Sequence, residues 1–276
     1  MVTNDDGIDS VGLHVLARAM VPFGHVVVVA PDTEYSGASA ALGALHVIRP
    51  EVHRVDLDGV PEAWSVTGPP ALCTMFARLG VFGGPPDLVV SGINPGANVG
   101  RSVYHSGTVG AAITARNGGI SGVAVSQDVA DHGWEGQGYD AMLALQQWDS
   151  AAEVAQHVVR ALIDSPPERP VVLNVNVPNR PVPEMLGWRW TRVGTLPPRT
   201  LDSAVLEPKP GHDGAYRVAM TYGGLNPLPE TDDGGAVMAG WVSVTSLGRL
   251  VAQDEIPSVG GALDRVFSSG AVPLSR

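Results

Sequence analysis

Residues 25–32 read "HVVVVAPD", and the polar, glycine-bearing stretch "TEYSGASAAL" (33–42) follows at once. A short β-branched run without polar alternation has both faces covered, as in a buried parallel strand. Parallel neighbours need crossover connections, and the sequence on either side supplies them. Upstream, Met1 to Thr3 read as the end of a strand. Ser10 can cap a helix over 11–20, where Leu13, Leu16 and Met20 recur at helical spacing. Downstream, 45–59 and 63–66 read as shorter strands, and 67–80 as a helix with proline in its first turn. "PPDLVVSGINPGANVG" (85–100) is a buried strand entering a glycine-rich loop. "SGTVGAAITARNGG" (106–119) is a small-residue helix, and "SGVAVSQ" (121–127) is a strand. Strands alternating with helices imply an α/β fold, a doubly wound and mostly parallel sheet.

Past residue 127 the pattern loosens. Residues 128–148 read as a loop, followed by a helix with a capping box (Ser150 with Glu153) running to about Ala161. "RPVVLNVNVPN" (169–179) is the last strong parallel-type strand. Prolines and glycines then increase, with strand-like pieces at "GWRWTRVG", "AYRVAMTY" and "AGWVSVTSL". The expected organisation is a core over 1–184, a C-terminal β-rich appendage over 185–250 whose hairpins reach another subunit, and a weakly ordered tail over 251–276.

The chain has 276 residues, 44% hydrophobic, and a formal net charge of −11. That length and content support one large α/β domain, or a core with an appendage. The acidic surface repels phosphate backbones and argues against a nucleic-acid polymer as partner. No apolar run is long enough to span a bilayer, and no signal peptide is evident. Cys73 is the only cysteine, which excludes an intramolecular disulfide and CxxC metal sites. These features fit a cytoplasmic protein that does not enter the membrane.

In an open parallel sheet, ligands sit beyond the carboxyl ends of the strands, where strand order switches. The unusual polar clusters each follow a predicted strand. Asn4-Asp5-Asp6 follows the first strand, Asp32 to Ser36 the second, and Asn94 and Asn98 the third of these core strands. His105-Ser106-Gly107-Thr108 then opens a helix. Alone, "NDDG" is an ordinary turn and a serine or threonine at a helix start is an ordinary cap. Gathered on one sheet edge, two carboxylates with hydroxyl and amide oxygens make a hard, all-oxygen site for Mg²⁺, Mn²⁺ or Ca²⁺. Such a cation would relieve the repulsion between Asp5 and Asp6. The helix start at 106–108 offers N–H groups to an anion, and Gly107 would let a phosphate approach the backbone closely. A metal beside such a helix end suggests phosphate-ester chemistry.

"TNDDGIDSVGLHVL", "VVVAPDTEYSGAS", "DLVVSGINPGANVG" and "HSGTVGAAITA" resemble, in order, the motifs of the SurE family. The resemblance covers 1–127 strongly and continues more weakly through "LNVNVP", "WTRVG" and "ETDDGGAVMAGWVSVTSL" to about residue 248. It implies a Rossmann-like core and a metal-dependent phosphatase acting on nucleoside monophosphates, a 5'/3'-nucleotidase. It places the metal ligands on Asp5, Asp6, Ser36 and Asn94, and the phosphate-holding elements on Asn98, Ser106, Gly107 and Thr108. It also implies a dimer or tetramer with a C-terminal hairpin region exchanged between subunits. Two departures stand out: the first strand is clipped, and Leu72 of "GPPALC" replaces an acid that the family tends to carry.

The mechanism expected on this reading is hydrolysis by a metal-activated water, with Asn98 and the helix N-terminus stabilising charge on the phosphoryl oxygens. Direct attack by Asp5 or Asp6 is the alternative. His105 has the titration range for acid–base work, although an ordinary hydrogen-bonded histidine is the commoner case. His14 and Cys73 read as structural, and Trp148, Trp188, Trp190 and Trp241 as core or subunit contacts. A receiver domain would need a lysine after a later core strand, whereas the single lysine is Lys209. Haloacid-dehalogenase-type phosphatases space their acids D-x-D, whereas Asp5 and Asp6 are adjacent. The non-enzymatic rival is a module that binds metal and nucleotide without turnover.

Overall fold

The computed structural model describes residues 1–43, 49–132, 138–252, 254 and 256–269. Its strands are β1 (Val2–Thr3), β2 (Val27–Pro31), β3 (Val52–Val55), β4 (Glu62–Val66), β5 (Leu88–Pro95), β6 (Ser121–Gln127), β7 (Val172–Val177), β8 (Trp188–Trp190), β9 (Arg199–Pro208), β10 (Tyr216–Leu225) and β11 (Val242–Ser246). The helices are α1 (Val11–Met20), α2 (Pro70–Arg78), α3 (Gly107–Asn117), α4 (Tyr139–Ala144), α5 (Trp148–Asp164), α6 (Asp233–Ala239) and α7 (Pro257–Ser269). Nine strands form one sheet in the order β3-β4-β2-β1-β5-β6-β7-β11-β8. From β4 to β7 every neighbouring pair is parallel; β3 and β11 add antiparallel at the two ends of that block.

Burial explains why the central runs lack alternation. Every residue of β7 is buried, and so are all but the first of β6 and of β2. One face packs against α1 and α5, with Leu13, Leu16, Ala155 and Val159 meeting Val28, Val90, Val123 and Val175 in one apolar cluster. On α3, Val109 and Ala112 meet Ala124 and Val172 of the sheet in another. The chain leaves β1 to one side to build β2 and returns to the other side to build β5. The switch point therefore lies between β1 and β5, and their carboxyl ends open the crevice in which such sheets hold ligands.

Several sequence expectations need correction. The β-rich stretch expected over 185–250 divides in two. β8 and β11 extend the central sheet, and only β9 and β10 form a separate two-stranded antiparallel sheet. The alternation in "WVSVTS" suits either location; the pairing of β11 with β7 over Ser243–Ser246 decides it. Within the loop expected over 128–148 lies the short helix α4; residues 133–137 of that stretch are outside the described ones, as are 45–48 of the strand expected over 45–59. Ser150 and Glu153 do not form a capping box. α5 begins at Trp148 with Gln147 at its N-cap and no side-chain cap bond, because Asn179 Oδ1, beyond β7, takes the Gln147 N–H at 3.0 Å. Within the tail expected over 251–276 lies α7, and Val259, Leu263 and Val266 give the helical spacing that marks it. Residues 253, 255 and 270–276 lie outside the described residues. No helix among the described residues is long and apolar enough to cross a membrane.

Candidate active site

Asn4 sets the turn that follows β1. It is fully buried, and its Nδ2 donates to the Gly7 carbonyl at 3.1 Å and to the Ser10 hydroxyl at 2.5 Å. Ser10 thus occupies the N-cap of α1, as its position predicts, but its hydroxyl receives Asn4 instead of capping the helix. Gly7 closes the turn at φ 99°, a region that side chains disfavour. The turn holds Asp5 and Asp6 at the carboxyl end of β1, beside the end of β5.

Asp5 is almost completely buried, and three donors from the first turn of α3 hold its carboxylate. The Thr108 hydroxyl donates to Oδ1, and the backbone N–H groups of Gly107 and Thr108 face the same group. Burial raises its pKa above the ordinary carboxylate range, and these hydrogen bonds oppose the rise. The carbonyl of Asp5 accepts the Tyr35 N–H at 2.7 Å, and the Ser39 N–H reaches the His105 carbonyl at 3.1 Å. Those two bonds pin the loop after β2 against the end of β1 and the start of α3. Ser36, exposed, lies in that loop.

Asp6 is in a different state. Burial, then the charges of Asp5 and Glu34, push its pKa up to about 8. Its Oδ2 is buried with no hydrogen-bond partner, the only carboxylate oxygen among the described residues so placed. A buried anionic oxygen without a donor is costly unless a cation meets it. Two carboxylates and neutral oxygens suit a hard divalent ion, so these residues fit a metal. No three or more His, Cys, Asp or Glu among the described residues are grouped so as to hold a metal ion, so its remaining ligands would be neutral oxygens.

Asn94, next to last in β5, lies opposite Ser126 of β6, just past a register irregularity that begins after Ser91. Such a bulge re-aims the side chains beyond it. Its Nδ2 donates to the Gly96 carbonyl at 2.7 Å, which leaves Oδ1 as its free acceptor. Asn98 is buried in a polar lattice. Its Nδ2 donates to Ser126 Oγ at 2.8 Å, its N–H donates to Asn176 Oδ1 at 2.7 Å, and its carbonyl accepts from Asn174 and Asn176. Ser106 is the N-cap of α3, its Oγ accepting the Val109 N–H at 3.0 Å.

Gly107 has a different reason from the one its sequence suggests. A Cβ there would lie 2.7 Å from both Cβ and Oδ2 of Asp5. The absent side chain makes room for the Asp5 carboxylate, and the N–H groups expected to be open to an anion are turned toward that carboxylate. His105 contributes backbone bonds while its side chain is exposed. His14 Nε2 lies 2.7 Å from the Ile8 carbonyl, a structural role. Cys73 is buried and its thiol pKa is raised by that burial, and Leu72 is buried in α2. Trp188 and Trp190, 60% and 61% exposed, are not core residues.

Sequence reasoning misses four contributors. Asn174 and Asn176 lie inside a strand that reads as plain core, yet they hold the loop carrying Asn98. Asp233, fully buried at the start of α6, accepts N–H groups from Gly100 at 2.9 Å, Gly194 at 3.0 Å and Gly234 at 2.8 Å. Tyr139 opens α4; burial, then the charges of Asp6, Glu34 and Asp5, push its phenol up to about 12. It remains a proton donor beside the acidic pair. Polar residues inside the all-buried β7 are the one sequence signal available for this group.

The sequence model of the family described as "Survival protein SurE" matches residues 1–198. The 5'-nucleotidase SurE of Alkalilimnicola ehrlichii is 34% identical over 274 residues, covering 98% of each chain. The crystal structure of the SurE protein from Aquifex aeolicus superposes with a TM-score of 0.74 at 29% identity, over 96% of this chain and 97% of that one.

Proposed function

The chain belongs to the SurE family, and from that premise we propose that it is a 5'-nucleotidase, a phosphatase hydrolysing nucleoside monophosphates. The observation that carries this reading is the partnerless buried Oδ2 of Asp6 beside Asp5, at the switch point of the sheet. Asp5, Asp6, Ser36 and Asn94 would hold one divalent cation, Mg²⁺ or Mn²⁺. When bound, that ion supplies Lewis-acid polarisation of the phosphoryl group and of an attacking water.

The chain's own groups do the rest. The α3 amides and the Thr108 hydroxyl fix the Asp5 carboxylate in one orientation. The Ser106 hydroxyl accepts from Val109 and keeps its own hydrogen to donate to a phosphoryl oxygen. The second N–H of the Asn98 amide is available for the same purpose, its first being committed to Ser126. Preorganised donors of this kind stabilise charge that grows in the transition state. Tyr139, protonated across the neutral range, adds a donor near the acids.

The exposed apolar residues of the β9–β10 sheet, among them Leu206, Val218 and Tyr216 at 58–67% exposure, support self-association as a dimer or tetramer. The test of the activity is phosphate release from nucleoside monophosphates before and after EDTA treatment. EDTA should abolish turnover and Mn²⁺ or Mg²⁺ should restore it. Metal binding and nucleotide binding with no phosphate release would instead identify a non-catalytic module.

A further inference from the structure

A cavity of about 260 Å³ lies beside the acidic site, walled by Val99, Val129, Pro198 and Val237. Its lining adjoins the site residues along the chain. Ala97 lines it from between Gly96, which bonds Asn94, and the site residue Asn98. Asp128 lines it from the position after Gln127, whose carbonyl accepts the Gly96 N–H at 2.7 Å. β1 and β6 are separated only by β5. The acids and the cavity are thus about two strand spacings, roughly 10 Å, apart, the span from a nucleotide's phosphate to its base.

The walls are apolar and the rim carries both signs of hydrogen bonding. Asp128 Oδ1 accepts the Val129 N–H at 2.9 Å, and Oδ2 holds His132 Nδ1 at 2.5 Å. With Nδ1 donating to the carboxylate, Nε2 accepts in the neutral ring and donates in the imidazolium, the form that the Asp128 hydrogen bond favours by raising the His132 pKa. Arg101, exposed at the rim, makes no hydrogen bond or ion pair with the described residues and is a free donor. A flat apolar ring edged by donors and acceptors matches this lining, and the volume is below that of a site for a whole drug-sized ligand.

We propose that this cavity takes the nucleobase of the substrate, with Arg101 and His132 at its polar edge, while the phosphate stays at Asp5, Asp6 and the start of α3. The inference rests on the nucleotidase reading above. It assigns to the cavity the preference for nucleotides over simpler phosphate esters.

Arg101→Ala removes the rim donor, and Met238→Trp fills the cavity from its α6 wall. Both should raise KM for ribonucleoside monophosphates roughly tenfold or more, the scale of one pocket contact, with kcat little changed. Ribose 5-phosphate, which has no base, should be hydrolysed by both variants as by the unaltered enzyme. Parallel losses on both kinds of substrate, or no change on either, would overturn the proposal. Calorimetry with the free nucleosides reads the cavity without turnover: the unaltered protein should bind them, and both variants more weakly. Failure of the unaltered protein to bind any nucleoside would overturn the inference even with nucleotidase activity intact. Nucleoside binding lost in both variants, with no phosphate release from any nucleotide, would support the cavity and defeat only the nucleotidase reading.

Discussion

Replacing Gly107 by alanine adds a single methyl group, and the structure says where it goes. The new Cβ would stand 2.7 Å from Cβ and Oδ2 of Asp5, where ordinary van der Waals contact begins at 3.4 Å. The carboxylate must therefore retreat by about 0.7 Å or rotate, because the other side of the contact is helix backbone. Retreat lengthens its bonds to the Gly107 and Thr108 amides and to the Thr108 hydroxyl, and moves one of the two acids that would hold the cation. A misplacement near 1 Å costs on the order of 10²-fold in rate, so kcat/KM for nucleoside monophosphates should fall by about that factor. Apparent Mn²⁺ affinity should fall with it. Overpacking a filled site costs about 1–3 kcal/mol, which would lower the melting temperature without unfolding the protein at 25 °C. Steady-state kinetics across a Mn²⁺ titration, with thermal denaturation in parallel, measures all three. Turnover and Mn²⁺ affinity both close to those of the unaltered enzyme would refute the argument that Gly107 exists to admit the Asp5 carboxylate. A lost rate with unchanged Mn²⁺ affinity would point instead to close approach of the phosphate.

Asp6→Asn should abolish activity yet leave the metal-free protein as stable or more so at neutral pH. Because the folded-state pKa of Asp6 is raised to about 8, the folded state binds more protons than the unfolded one between the ordinary carboxylate range and pH 8. Its contribution to stability therefore falls as pH rises through that window, and melting curves of the EDTA-treated variant should show a flatter pH dependence than the unaltered protein. Asp233→Ala should orphan the buried N–H groups of Gly100, Gly194 and Gly234; at about 1–3 kcal/mol for a single unsatisfied donor, denaturant titration should show a large loss, and a loss under 1 kcal/mol would contradict the role assigned to it. Light scattering at micromolar concentration should give a dimer or tetramer, and a fully active monomer would remove self-association from the proposal.

Local signals in the sequence determine the fold's central block and the location of the site. Unalternated apolar runs at 26–30 and 88–90, each followed by a polar cluster, read as buried parallel strands opening on one edge. That places Asp5, Asp6, Asn94 and Asn98 together before any coordinate is known, because a strand's end and its following loop are adjacent in sequence as well as in space. The helix starting at 107 is equally legible from its small residues and its serine cap.

Tertiary structure alone decides what those residues do to one another. Gly107 reads as a phosphate-approach glycine until the Asp5 side chain, 102 residues earlier in the chain, is seen lying over it. Asn174 and Asn176 read as part of a plain core strand until their amides meet the Asn98 backbone. β8 and β11 read as pieces of an appendage because alternation suits an edge strand of the central sheet as well as a free hairpin; only the pairing of β11 with β7, and of β8 with β11, separates the two. The start of α5 moves because a side chain from beyond β7 takes the Gln147 N–H. In each case the deciding contact joins residues far apart along the chain, and periodicity carries no information about such partners.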